Sequence, residues 1–221
     1  IIPIGGVGEF GIGKNMTAIE YKGEIIVIDM GVLFASEDYP GVNYMIPDIK
    51  YLEDNMDKVK AILFTHAHLD HIGACRHLLP KFGPLTPIYA TDFTIGMIKK
   101  QMSELEDIPE MNYQVIDPFK HEKLQVSEHL SVEFIHTLHS IPGNCAIIIR
   151  TPNGVVYFSG DWRAEANPIE KQTDFERIDE IVKNEGITLM LNESTNIDSP
   201  GHHPHSEYDV GDNIGKVMDH Y

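Results

Sequence analysis

The feature that most constrains the fold is the segment Phe-Thr-His-Ala-His-Leu-Asp-His-Ile-Gly at residues 64–73. The apolar residues 61–65 read as a short buried strand, and residues 71–82 have the spacing of a helix. Four metal-ligating side chains therefore fall where a strand ends, a place at which a rigid sheet can hold ligands in a cleft. Because imidazoles and carboxylates are costly to bury without partners, we interpret this segment as a metal site.

The spacing within this segment divides the ligands between two ions. His66 and His68 are two residues apart in an extended segment, so their side chains point to one side and can chelate one ion. Asp70 and His71 lie beyond the bend, where they can face a second ion.

Two further ligands are expected at strand ends downstream. His139 follows a predicted strand at residues 131–136, and Asp161 follows another at residues 155–158. Gly160 allows a close backbone approach, and the two oxygens of Asp161 can bridge two cations. His136 belongs to the body of its strand, and we interpret it as a structural or surface residue.

The rest of the chain predicts strands on both sides of a βα-type middle. Residues 16–21 and 24–29 read as a hairpin, and Pro152-Asn153-Gly154 marks a second hairpin turn. Further strands are predicted at residues 87–90, 113–116, 123–126, 145–151 and 188–191, and helices at residues 91–106 (capped by Thr91 or Asp92), 175–184 (capped by Asp174) and 206–220 (started by Ser206). Two sheets sandwiched between helices, an α/β (α+β) fold, would suit this order.

A glycine-rich run at residues 5–13 precedes the first hairpin. Its glycine spacing superficially suggests a dinucleotide-binding fingerprint. That fingerprint opens a helix, however, whereas this run leads into a predicted strand. We therefore assign it no nucleotide cofactor.

Charge and cysteine content limit the classes of function. The formal net charge is −17, from 34 acidic residues against 17 Lys and Arg, although phosphate contacts usually need a basic surface. Either the substrate is not a polyanion, or bound metals and a local basic patch override the overall charge.

Cys75 and Cys145 are expected to be buried free thiols, which fits a reducing cytoplasm. We expect a cytoplasmic location without membrane contact, because no run of about 20 apolar residues and no secretory signal is visible.

The His-x-His-x-Asp-His pattern, followed by a later His and a Gly-Asp pair, resembles the metallo-β-lactamase superfamily. Members of that superfamily form an αββα sandwich with metals at one edge. The resemblance implies two zinc ions, with manganese as an alternative, and two ligand sets: His66, His68 and His139 for one ion, and Asp70, His71 and the bridging Asp161 for the other.

Flanking segments are similar to ribonuclease J, which belongs to the β-CASP branch with an extra domain inserted into the lactamase-like fold. The similarity covers nearly the whole chain and is carried by residues 5–9, 13–16, 27–31, 46–48, 65–73, 139–142, 193–196 and 200–207. Glu193 matches the acidic first motif of the β-CASP nucleases, which implies a catalytic-site residue. Judged without the family, an acid after a strand can simply cap a turn.

Two departures from the family pattern matter. Phe10-Gly11 are extra residues in the glycine loop, and the chain stops at Tyr221, about where the β-CASP insertion should begin. We therefore expect residues 1–221 to be the N-terminal portion of a metallo-β-lactamase-like domain, with the insertion, the final zinc-binding His and the remainder beyond it. A His-rich loop is interpreted as solvated surface and not as a substitute for that ligand: His202, His203 and His205.

The resemblance implies a zinc-dependent ribonuclease with 5′-to-3′ exonuclease or endonuclease action, or both. Two zinc ions would ionise a water that attacks phosphorus in line. Asp70 and Asp161 would hold metal at the catalytic centre, Asp70 would also orient the nucleophile, and Glu193 would orient a ligand imidazole. RNA is the expected partner, gripped largely by regions outside this chain that could also form a homo-oligomer. Two alternatives stay open: a stand-alone metallo-hydrolase of small esters or lactams, and an inactive metal-binding interaction domain.

Overall fold

The computed structural model of the chain describes residues 1–6, 13–106, 109–165, 167–195, 197–201 and 206–220. The strands are β1 (Ile2–Gly5), β2 (Met16–Tyr21), β3 (Glu24–Ile28), β4 (Leu33–Phe34), β5 (Tyr44–Met45), β6 (Val59–Leu63), β7 (Ile88–Thr91), β8 (Tyr113–Ile116), β9 (Leu124–Gln125), β10 (Ser131–His136), β11 (Cys145–Thr151), β12 (Gly154–Phe158) and β13 (Leu189–Leu191). The helices are α1 (Lys50–Glu53), α2 (Leu69–Ile72), α3 (Cys75–Phe82), α4 (Asp92–Met102), α5 (Phe175–Asn184) and α6 (Glu207–His220), with a short 3₁₀ turn at Met56–Lys58.

The strands form two main sheets. The first has the order β1-β2-β3-β6-β7-β8 and the second the order β13-β12-β11-β10-β9, while β4 and β5 pair separately. In the first sheet β3, β6, β7 and β8 run parallel. In the second sheet β10 and β12 are both antiparallel to β11, and β13 is parallel to β12. The carboxyl ends of β10, β12 and β13 therefore lie at one edge of the second sheet.

Alternating side chains assign the two faces of each sheet to different cores, because neighbours along a strand point to opposite faces. Ile25 and Val27 of β3 pack with α3 and α4, whereas Ile26 and Ile28 pack against the second sheet. In β11, Ile147 faces the first sheet and Ile148 faces α5. The layers are thus helix, sheet, sheet, helix, which confirms the predicted αββα sandwich.

The predicted helix at residues 71–82 is wrong in one respect, because the chain forms two helices there. A continuous helix would need the Ala74 amide to bond the Asp70 carbonyl. The Ala74 amide instead donates to Met30 O at 2.8 Å, and the Asp70 carbonyl accepts from Asn15 N at 3.0 Å. These tertiary bonds interrupt the helix directly after the metal-ligating segment.

The other predicted elements are confirmed, with shifts of a few residues at their ends. The helix predicted at residues 91–106 ends at Met102, where the chain tightens into turns. Thr91 occupies its N-cap position, but its hydroxyl accepts from no helix amide; it donates to Gly143 O at 3.0 Å and lies 3.1 Å from the Thr94 hydroxyl. Asp174 caps α5 by accepting from Arg177 N at 3.0 Å. None of the helices in the described part of the chain has the length and apolar character that crossing a bilayer requires.

Candidate metal centre

The candidate ligands follow the carboxyl ends of strands from both sheets. His66 and His68 follow β6, with Asp70 and His71 in the short helix α2. His139 comes after β10 and Asp161 after β12. Because β6 and these two strands end at the same edge of the sandwich, residues up to 95 positions apart in the chain are brought together. The structure therefore brings the predicted ligands together at one place.

The first group, which we call the histidine side, consists of His66, His68 and His139. Their ligand nitrogens lie within 4.8 Å of one another. His66 Nε2 and His139 Nε2 are each 3.1 Å from His68 Nδ1. Ligands at the usual zinc–nitrogen distance in tetrahedral geometry are roughly 3.4 Å apart, so the three nitrogens are spaced to hold one such ion.

The protonation of His66 fits a metal ligand. The Thr65 hydroxyl donates its one hydrogen to Asp29 Oδ2 at 2.9 Å, so it accepts from His66 Nδ1, which lies 3.0 Å away. The proton on Nδ1 leaves a lone pair on Nε2, which faces the other imidazoles. Burial and repulsion from the neighbouring histidines also lower the pKa of His66. Burial likewise lowers the pKa of His139, partly offset by Asp161.

The second group, which we call the carboxylate side, consists of His71, Asp70 and Asp161. His71 Nε2 lies 3.3 Å from Asp161 Oδ1 and 3.4 Å from Asp70 Oδ2. The other oxygen of Asp161, Oδ2, lies 3.8 Å from His139 Nε2. One carboxylate thus faces both sides, the arrangement expected of a bridging ligand.

The environment of His71 differs from that of His66. Burial of His71 lowers its pKa, but attraction to Asp29 and hydrogen bonds with Asp161, Asp29 and Asp70 outweigh burial and raise the pKa well above its usual range. The Asp70 pKa is lowered, because its hydrogen bond with His71 and the attraction between them outweigh burial. Because a ligand imidazole must be deprotonated, cation binding at His71 competes with protonation.

Asp29, which the sequence reasoning did not single out, contacts His71 of the carboxylate side directly and His66 of the histidine side through the Thr65 hydroxyl. Its side chain is buried; Oδ1 accepts from Thr65 N at 2.9 Å and Oδ2 lies 2.8 Å from His71 Nδ1. A carboxylate on the far nitrogen of a ligand imidazole fixes the orientation of the ring. The signal available in the sequence was an acid directly after the apolar strand β3, a place where an unpaired charge would not be buried.

Glu193 and Asn144 hold the turn that carries Asp161. Glu193 Oε1 accepts from Trp162 N at 2.9 Å, and Oε2 accepts from Thr195 N at 3.3 Å. Asn144, which the sequence reasoning also missed, donates to the Asp161 carbonyl at 2.7 Å. The Glu193 carboxylate thus connects the Asp161 turn, through the Trp162 amide, to its own loop, through the Thr195 amide.

Glycine at two positions permits these close approaches. A Cβ added to Gly31 would lie 1.5 Å from the Asp70 carbonyl oxygen. Gly160 has a φ of +56°, and a Cβ there would lie 3.0 Å from the Thr65 Cβ. The α2 segment and the Asp161 turn can therefore reach their positions because residues 31 and 160 lack a side chain. This close approach was predicted for Gly160.

A cavity of about 360 Å³ opens beside the carboxylate side. His71, Asp161, Glu193 and Asn15 contribute polar groups to its lining, together with apolar residues from β1 and β13. A substrate could approach the ligands through this opening.

Several other predictions concern residues near the site. His136 is buried in β10, its Nε2 lies 3.0 Å from Lys171 O and its ring packs against Phe119, as expected of a structural residue. Cys75 and Cys145 are buried free thiols, as predicted. The predictions for Phe10-Gly11 and for His202, His203 and His205 lie outside the described residues.

Comparison with known proteins connects this geometry to a family. Residues 28–215 match the family described as the beta-lactamase superfamily domain. Over 99% of its length, the chain is 35% identical to ribonuclease J from Thermus thermophilus and 34% identical to ribonuclease J2 from Bacillus subtilis. It is 36% identical to ribonuclease J from Pyrococcus abyssi over 89% of its length. The chain spans only 38%, 38% and 45% of these three relatives.

Solved structures show the same fold. A protein of unknown function from Enterococcus faecalis superposes on 96% of the chain with a TM-score of 0.64 and 20% identity, the match covering 55% of that protein. The metallo-beta-lactamase fold protein YhfI from Bacillus subtilis superposes on 72% of the chain with a TM-score of 0.50 and 19% identity, covering 61% of that protein.

Proposed function

Because the chain belongs to the beta-lactamase superfamily domain family, we propose that it is the metal-binding part of a ribonuclease that hydrolyses RNA phosphodiester bonds with two divalent cations. The observation that carries this proposal is the convergence of the histidine and carboxylate sides at one edge of the sandwich. The similarity to proteins named ribonuclease J, over nearly the whole chain, supports RNA as the substrate class.

The donor set favours zinc, because imidazole nitrogens with a few carboxylate oxygens suit that ion, with manganese as the alternative. One cation would be held by His66, His68 and His139 and the other by His71, Asp70 and Asp161, with Asp161 shared between them. Two cations there would supply positive charge beside the scissile phosphate and a water of lowered pKa.

The residues of this chain would act by holding and orienting. Asp161 lines the cavity, and Asp70, which faces His71 beside it, would orient the attacking water. Glu193 would position Asp161 by binding the amide of Trp162, and Asp29 would keep the His71 ring turned with Nε2 outward. These supports would preserve the geometry on which in-line attack at phosphorus depends.

The net charge of −17 is compatible with this proposal if the positive charge is local. Bound cations are often the largest charges in a site and outweigh the overall charge at close range. Most of the RNA-gripping surface would then lie on other parts of the enzyme, which fits the share of the relatives that this chain spans. Both 5′-to-3′ exonucleolytic and endonucleolytic cleavage fall within the proposal.

The test compares RNA with small substrates. The full chain, loaded with zinc or manganese, is incubated with 5′-labelled and 3′-labelled single-stranded RNA, and in parallel with a chromogenic lactam and an aryl ester. We expect RNA cleavage that is lost in His68→Ala and retained in His77→Ala, a matched change at a histidine that bonds Tyr44 instead. Labelled mononucleotides would indicate exonuclease action and internal fragments endonuclease action.

Equal cleavage by the protein and by His68→Ala would remove the catalytic role of this site. Turnover of the lactam or ester with RNA intact would favour a hydrolase of small substrates. Two bound cations with no turnover of any substrate would favour a metal-binding interaction domain.

A further inference from the structure

Asn15 lies directly against the carboxylate side, although neither the spacing of the ligands nor the fold pattern points to it. Its side-chain amide Nδ2 is 3.2 Å from Asp70 Oδ2 and 3.1 Å from His71 Nε2. Asp70 and His71 therefore face one amide group as well as each other. The amide nitrogen is a donor and the carboxylate oxygen an acceptor, so the contact of Asn15 with Asp70 is a hydrogen bond whatever the protonation of His71.

The backbone of Asn15 is hydrogen-bonded to the segment that carries Asp70. Asn15 N donates to the Asp70 carbonyl at 3.0 Å, and Gly31 N donates to the Asn15 carbonyl at 2.9 Å. At Gly31 a Cβ would overlap the Asp70 carbonyl, so the segments that carry Asn15, Gly31 and Asp70 pack with their backbones in direct contact. The side-chain amide is thus held at a set distance from the Asp70 carboxylate.

The Asp70 carboxylate is more exposed than the His71 ring beside it. Its side chain is 21% exposed, against 4% for His71. Within the described residues the Asp70 carboxylate contacts His71, its own backbone amide and the Asn15 amide, and of these only Asn15 is a side-chain donor from a distant part of the chain. A carboxylate that rotates freely loses entropy on binding a cation, whereas one held in place by a hydrogen bond does not.

We propose that Asn15 is a positioning residue for the carboxylate side: its amide holds the Asp70 carboxylate beside His71 Nε2 in the orientation that receives a cation. This inference rests on the proposed function, because it requires that two cations bind. Asn15 touches neither His66, His68 nor His139 in the described contacts, so its effect is confined to one of the two cations.

The test starts from the metal-free full chain and measures its affinity for each of the two cations separately. Cobalt(II) is titrated in as a zinc substitute, and the two binding steps are followed by visible absorption and by competition with a chelator. We expect Asn15→Ala to weaken the weaker of the two steps by about 10- to 100-fold, the usual cost of losing a group that orients a ligand. The other step should change less than about 3-fold. Asn55→Ala, which removes a side-chain amide bonded to Tyr51 O, is the matched control and should leave both steps unchanged.

A double-mutant cycle identifies the partner of the amide. In an Asp70→Ala background, Asn15→Ala should cause no further loss of cobalt affinity, because the carboxylate that it orients is already gone. Additive losses would overturn the proposal, as would unchanged binding in Asn15→Ala or equal weakening of both steps. Asn15→Ser serves as a second variant, and loss of folding in both would assign Asn15 to stability and overturn the positioning role.

Failure of this inference is distinguishable from failure of the proposed function. If the unmodified chain binds no pair of cobalt ions, the proposed function fails. If it binds two and Asn15→Ala behaves identically, only the role of Asn15 fails.

Discussion

Two clusters of buried polar groups, the metal centre at one edge of the sandwich and a cluster around Glu133 on the α5 face of the second sheet, are built differently. Behind the sheet, Glu133 is fully buried, and each of its oxygens accepts from an arginine: Oε2 from Arg150 at 2.7 Å and Oε1 from Arg177 at 2.6 Å. Arg150 also pairs with Glu185 at the end of α5. Every buried charge there has an opposite charge within the protein.

The metal centre lacks that balance. On the histidine side, His66 Nε2 and His139 Nε2 each lie 3.1 Å from His68 Nδ1, and a shared cation would satisfy all three imidazoles. The comparison teaches that a buried charged cluster is structural when its members satisfy each other and functional when they share a need for an outside group. We therefore expect changes in the Glu133 cluster to affect stability and changes in the metal centre to affect metal binding.

The largest effect is expected from Asp161→Ala, which removes the carboxylate that faces both sides. Losing cation charge at the reacting phosphate should cost several kcal/mol, or about 10³-fold or more in the rate of RNA cleavage. The unfolding free energy of the metal-free variant should change by less than about 1 kcal/mol. A loss of stability as large as the loss of activity would contradict the distinction between the clusters.

Glu133→Ala should have the opposite effect, a loss of stability with metal binding retained. Removing the shared carboxylate leaves two arginines without a partner, and breaking a buried ion pair in this way costs about 3 kcal/mol, at the lower end because both arginines remain partly in water. Urea denaturation measures this loss. Metal content per chain should stay the same, and a fall in metal content under folding conditions would show that the two clusters are not independent.

Asp29→Ala should affect both properties, because Asp29 supports the metal centre from within the core. The Thr65 amide would lose its buried acceptor, at about 1–3 kcal/mol of unfolding free energy. The His71 ring would lose its orienting carboxylate, at about 10- to 100-fold in affinity for one cation. Asp29→Asn keeps an oxygen that can accept from Thr65 N, but it loses the negative charge beside His71. Compared with Asp29→Ala, it should therefore restore stability more fully than metal affinity. Equal restoration of both would count against separate roles for the two contacts.

The smallest effect concerns pH and Glu185. Its hydrogen bond with Arg150, opposed by burial and aided by Lys123, lowers its pKa from 4.5 to about 2. A lowered pKa in the folded state adds stability above pH 4.5, and that stability disappears as the pH falls through 2. Glu185→Gln should thus be less stable than the unmodified chain by up to about 1 kcal/mol at pH 7, with no difference near pH 2. A difference that persists in acid would show that packing, and not charge, is responsible.

The sequence predicted the layers of the fold well, because short apolar runs bounded by turn residues, such as those of β3 and β11, are local signals. It failed where tertiary bonds competed with local preference. The break between α2 and α3 arises because the Ala74 amide bonds Met30 across the fold. The short strands β1, β4 and β5 were not predicted, since two to four residues carry too little pattern.

The site was predictable to the extent that its ligands are close in sequence or follow predicted strands. His66 and His68 carry their own signal in their spacing, while His139 and Asp161 required the argument from strand ends. Asn15 and Asp29 were not singled out, because their roles depend on contacts with Asp70 and His71 more than 40 residues away. For Asp29 the sequence offered one signal, an acid directly after the apolar strand β3, but not the partner that it holds.

The most direct test of this account is anomalous diffraction at the zinc absorption edge from crystals of the chain grown with zinc. The account predicts two peaks about 3.5–4 Å apart. One should lie within bonding distance of the histidine-side nitrogens, and the other beside His71 and Asp161. Zinc bound elsewhere on the chain, with no peak among these residues, would contradict it.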